Sequence, residues 1–181
     1  MEKIIKYSGI FFITLCFVIL NFSFTYSQDN KWEKWDYLVG YWVGDNNGEP
    51  GAGTGYFTFR KELDNKILTR RSHTEFPAKE QEPKLVHDDL MIIYFDNNSI
   101  PGKAIYFDNE NHVINYSVTY DDITNSVILT SEPLYDKSIV RFTYTKIDEN
   151  NVKAKFKISP TGQTDAFRTH LEGNAHKQNN R

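Results

Sequence analysis

His73, Glu75, His87, Asp88 and Asp89 form a candidate cluster with acid–base or metal-binding capacity. Imidazoles and carboxylates of this kind ligate divalent metals or pass protons between neutral and charged forms. Their spacing matches no established ligand pattern, so no metal site is expected. A general acid–base role would require His73, His87 and Asp89 to converge. Four arginines, Arg60, Arg70, Arg71 and Arg141, lie inside β-like runs. Within a fold such charges are costly unless paired, yet a buried Arg beside Tyr can hold a polar head group. Recognised enzyme patterns are absent: there is no Gly-x-Ser-x-Gly, no phosphate-binding glycine loop before a helix and no His-Glu-x-x-His. The residues therefore favour binding over catalysis.

The elements that must position these groups are strands. Tyr, Phe, Thr and Ile suit pleated surfaces, and the chain holds 13 Phe and 11 Tyr with 15% aromatic residues. Ten β-like runs are expected, at 40–44, 55–63, 66–76, 87–96, 103–108, 112–120, 126–131, 139–147, 152–159 and 167–176. Between them stand Asp64-Asn65, Asn97-Asn98, Pro101-Gly102, Asp108-Asn109-Glu110-Asn111, Asp121-Asp122, Glu149-Asn150-Asn151 and Pro160-Thr161-Gly162, residue types that tolerate turn dihedrals. Val152, Ala154, Phe156 and Ile158 alternate with Lys153, Lys155 and Lys157, one dry face against one wet. Run 87–96 is apolar on both faces and reads as buried on both. Only 29–38, with Trp32, Trp35 and Leu38 three apart, suggests a helical turn. The fold class is all-β, with about ten antiparallel strands in an up-and-down order. A meander this long must close into a barrel or expose its edges, and an open sandwich is the alternative.

The N-terminus has a different character. Lys3 and Lys6 precede a nearly unbroken apolar run over 9–20, followed by Thr25-Tyr26-Ser27 before Gln28. A basic start, a short apolar stretch and small residues at the −3 and −1 positions are the secretory signal pattern, and the run is short for a membrane span. Residues 1–27 are therefore expected to be a cleaved signal peptide, 28–176 a single barrel domain and 177–181 a disordered tail. The product would be exported, periplasmic or secreted, with no membrane span after cleavage. Cys16 is the only cysteine and lies in the signal segment, so the exported chain has no thiol for catalysis, disulfides or metal. The whole chain carries a net charge of −3 and no basic run, which argues against nucleic acid as a partner.

Two motifs carry a resemblance. Leu38-Val39-Gly40-Tyr41-Trp42-Val43-Gly44 and then Gly51-Ala52-Gly53-Thr54-Gly55-Tyr56-Phe57 put a Gly-x-Trp on the first strand after a helical turn. At the other end stand Thr169-His170-Leu171 and His176-Lys177. Together they resemble the calycin-type barrels, and within them nitrobindin and its lipocalin-like relatives. The resemblance implies a ten-stranded barrel whose Trp42 closes the base beneath a basic side chain, for which Arg168 is the candidate. It also implies haem as a cofactor, with His170 as the proximal ligand. Strict alternation, however, puts His170 with Arg168, Glu172, Asn174 and His176 on a polar face of its strand.

Three functional readings follow. The first is a binding module that holds a small hydrophobic or amphipathic molecule in the lumen, lined by Tyr56, Arg71, Tyr94, Tyr106, Tyr116 and Phe142. The second is a haem protein using His170. The third is a small isomerase or hydrolase working at the barrel mouth through His73, His87 and Asp89.

Overall fold

A computed structural model describes residues 30–45, 53–78, 83–96, 100–161, 163 and 166–178. The expected signal segment, 1–27, lies outside the described residues. The described residues from Lys31 onward belong to one compact unit. It contains a 3-10 helix, Glu33–Leu38, followed by ten strands: β1 (Gly40–Gly44), β2 (Thr54–Glu62), β3 (Ile67–Phe76), β4 (Leu85–Phe95), β5 (Pro101–Asp108), β6 (Val113–Asp121), β7 (Ser126–Ser131), β8 (Ile139–Lys146), β9 (Asn151–Ser159) and β10 (Arg168–Gln178). Each strand pairs antiparallel with the next, and β10 returns to pair with β1, so the sheet closes as an up-and-down barrel. Closure leaves no strand edge unpaired. Tight turns help it: Asp64, Asn65, Asn111 and Asn125 all take positive φ, a region that Asn and Asp enter cheaply.

One end of the barrel is a packed base. Trp35, Leu38, Trp42, Phe59, Leu68, Met91, Ile93 and Leu129 are fully buried there. The 3-10 helix acts as the plug, because its period of three puts Trp32, Trp35 and Leu38 on the same side. Its polar atoms are met: Trp35 Nε1 donates to Tyr120 Oη at 2.7 Å, and Tyr120 Oη donates to the Pro101 carbonyl at 2.7 Å. Trp42 Nε1 donates to the Leu38 carbonyl at 2.7 Å. The basic group over the Trp42 ring is Lys177, 5.0 Å from its centroid, and its Nζ also donates to the Tyr37 carbonyl at 3.1 Å. This corrects the expectation for Arg168, which stands at the far end of β10 opposite Ile158. Gly40 is needed at its position: its φ is +137°, and a methyl group there would press on Lys177 Cε at 3.1 Å.

Two further expectations are corrected. The barrel does not end at 176, because Lys177 and Gln178 are paired to Trp42 and Tyr41 in β1. In β4 only the Met91 and Ile93 face is fully buried. Leu90, Ile92 and Tyr94 are half-exposed on the outer surface, shaded by cross-strand neighbours such as Phe107 and Ile105.

Candidate functional site

Toward the other end, the lumen changes from an aromatic core to a polar layer. Strands β3, β4 and β5 each send an ionisable or hydroxyl group inward, because alternate residues of a strand share a face. Arg70 follows Leu68 on the inner face of β3, Asp89 precedes Met91 on β4, and Tyr106 and Asp108 follow Ala104 on β5. Arg70 and Asp89 form an ion pair through Arg70 Nη1, with side chains only 7% and 4% exposed. The guanidinium crosses the lumen. Its carbon lies 5.7 Å from the Phe57 ring centroid, 5.6 Å from that of Phe142 and 5.9 Å from that of Tyr144. Burial opposes the Arg70 charge, but the Asp89 carboxylate more than offsets this and holds the guanidinium above its ordinary value. Among the described residues, one donor has no acceptor: Arg70 Nε is buried and unpartnered. Buried donors are ordinarily satisfied, so an orphan marks a place where an acceptor is missing.

His87 ties this layer to the rim. Its Nε2 is 3.0 Å from Tyr106 Oη and 3.7 Å from Asp89 Oδ2, and its Nδ1 is 2.9 Å from Glu110 Oε1. A carboxylate only accepts, so the neutral ring carries its proton on Nδ1, and Nε2 accepts from the tyrosine hydroxyl. Burial first, then the Asp89 and Asp108 charges, push the Tyr106 hydroxyl well above its usual range, while burial raises that of Tyr116. Burial likewise pushes Tyr144 up to about 12. All three remain hydroxyl donors at neutral pH. Asp108, with a 3% exposed side chain, would be raised by burial. It is instead held low by the His112 and Glu110 backbone N–H groups, each at 2.9 Å, and by the His112 imidazole at 2.8 Å.

The opposite wall of the mouth is apolar and incomplete. Phe142 on β8 meets Phe156 on β9 at 4.7 Å between ring centroids, and Leu171 on β10 pairs with Phe156 while remaining 60% exposed. The row Tyr144, Ala154 and Gly173 runs across β8, β9 and β10. Two of its three positions are small, and a methyl group at Gly173 would meet nothing within 4 Å. The mouth half of the lumen thus has a polar side and an apolar side, and its wall is exposed and open at Gly173. Two hollows open on the outside of the base: one of about 660 Å3 with a mixed lining that includes Val39, Phe59 and Lys61, and one of about 440 Å3 lined largely by charged and polar side chains.

The residues proposed from sequence divide by face. Tyr106, Tyr116 and Phe142 face the lumen. Arg71 and Tyr94 face outward, as does Tyr56, which stacks on Tyr41 at 5.2 Å and on His73 at 5.4 Å. These three are therefore not lining residues; each sits one residue out of phase with an inward neighbour. His87 and Asp89 meet inside, but His73 lies on the outer surface against Asp88 at 2.7 Å, so the acid–base triad does not assemble. Of the four arginines the sequence offers, the one that enters the lumen is Arg70, not the adjacent Arg71 expected in the lining. The signal for Arg70 was the shared face with Leu68, which only the register makes readable.

Haem, implied by resemblance for His170, needs an imidazole buried over a flat apolar slot. A β-bulge between Thr169 and Leu171 makes His170 the extra residue. Its ring edge meets Phe156 at 5.9 Å, yet the residue is exposed. Across the lumen stand Arg70 and Asp89 in place of an apolar slot. The residues present do not fit the group.

Fold and site together define a closed up-and-down barrel with a solid aromatic base and a two-sided mouth. Neither a protein-family model nor a curated protein matches this chain.

Proposed function

We propose that this protein is an exported, calycin-type barrel that binds a small amphipathic molecule in the mouth half of its lumen. The observation that carries the reading is the orphaned, buried Arg70 Nε opposite an apolar wall with open space at Gly173. A pocket of mostly apolar lining with a few convergent polar groups is the usual form of a small-molecule site. The calycin kinship is supported by Trp42 at the base, beneath a cation and behind a short helical plug. Export rests on the signal pattern of 1–27.

The test is fluorescence titration with N-phenyl-1-naphthylamine, an uncharged apolar probe. The expected result is a saturable enhancement that Gly173→Phe abolishes while the thermal midpoint holds, because the new ring would occupy free space. Absence of saturable binding, or equal binding by the variant, would overturn the proposal.

A further inference from the structure

Resting on that reading of the mouth as the binding site, we infer that the bound molecule carries an uncharged oxygen acceptor, such as a ketone carbonyl, on an apolar body, and not a carboxylate. A buried arginine in a barrel invites an anion. Here, however, the anion is already supplied by the protein. Asp89 is ion-paired to Arg70, and both are almost wholly shielded from water. Asp108, also shielded and on the inner face of β5, adds a second carboxylate to the same layer. Arg70 is the cation paired with Asp89 in this layer; Arg168, opposite Ile158, stands beyond it toward the rim, and Lys177 is spent at the base over Trp42. Histidines at the rim, His87 and His112, are each engaged by a carboxylate, Glu110 and Asp108. A carboxylate ligand would therefore enter a shielded layer where fixed negative groups already outnumber the buried cation, and like charges at close range in such surroundings repel strongly.

What the described residues leave unmet is the Nε donor of Arg70. Arg70 offers five N–H donors, and Nε has no acceptor. Aromatic rings lie close to the guanidinium, so an oxygen must approach in its plane, beside Asp89. A carbonyl oxygen meets that need without adding charge. Its apolar remainder then lies along Phe142, Phe156 and the open space at Gly173.

The experiment is displacement of bound N-phenyl-1-naphthylamine from the full chain by 2-undecanone, undecanoate and undecane at neutral pH. The ketone is expected to compete at least ~10-fold more tightly than either the carboxylate or the alkane, since a site with a buried unmet donor discriminates against ligands that cannot pair with it. In Asp89→Asn, which frees the Arg70 charge, the order of ketone and carboxylate is expected to reverse. A wild-type protein that prefers undecanoate, or that does not distinguish ketone from alkane, would overturn the inference while leaving the site standing. Failure of the probe itself to bind would overturn the proposed function and this inference with it. The wild-type comparison decides the matter even if the variant does not fold.

Discussion

Arg70 and Asp89 act as one unit, and each is tolerable in the lumen only because of the other. Removing one partner of a buried pair leaves an uncompensated charge, which costs more than the pair's own net contribution. Arg70→Met is therefore expected to lower unfolding stability by about 3–5 kcal/mol, and Arg70→Met with Asp89→Leu to recover most of that loss. Urea denaturation checks this, and a silent single variant would mean that water reaches the pair. On the outer surface, His73 behaves differently. Its hydrogen bond to Asp88 raises its titration, partly opposed by burial and assisted by Glu75. A raised folded value means that the interaction stabilises the fold below the ordinary value of 6.5 and is lost as pH rises through the raised one. An NMR titration of His73 should show its midpoint falling in Asp88→Asn; an unchanged midpoint would remove Asp88 as the cause.

The 3-10 helix and β10 decide what the two ends of the barrel can be. The helix is too short to be stable alone and holds its shape because Trp35 is wholly buried against Phe59 and Tyr120. Trp35→Ala is expected to cost about 3–5 kcal/mol, the usual scale for emptying a large aromatic site. A loss under about 1 kcal/mol, the scale of an ordinary surface change, would show that the helix is a loose cover. At the other end, the bulge in β10 turns His170 toward Phe156 but leaves it in solvent. Haemin added to the protein should then give no Soret band that His170→Ala removes. A sharp band lost in that variant would restore His170 as a ligand and displace the amphipathic reading.

At the scale of the whole molecule, stability comes from closure and packing, since Cys16 is the single cysteine of the sequence and no disulfide can form within the chain. Among the described residues no helix is long and apolar enough to cross a membrane. The export proposal has a direct measurement. Intact mass of the protein recovered from a secreting host should correspond to a chain beginning at Gln28. A product that retains Met1 and stays in the membrane fraction would show the apolar run to be an anchor.

The number of strands, their order and nearly all their limits could be read from the residues, because they depend on local patterns. Alternation of period two, as in 152–158, and turn residues such as Asp64-Asn65 act within a few positions of themselves. All ten strands fall within about two residues of the expected runs, and the helical turn is found inside 29–38. Which face lines the lumen is a different kind of fact. A shift of one residue reverses every side chain in a strand, so Arg70 points in and Arg71 out on the strength of pairing with β2 and β4 alone. The bulge at His170 upset strict alternation in β10, and Lys177 became the base cation because the strand runs on to meet β1. Local chemistry determined the strands; closure of the sheet, a contact between residues more than a hundred positions apart, decided what those strands enclose.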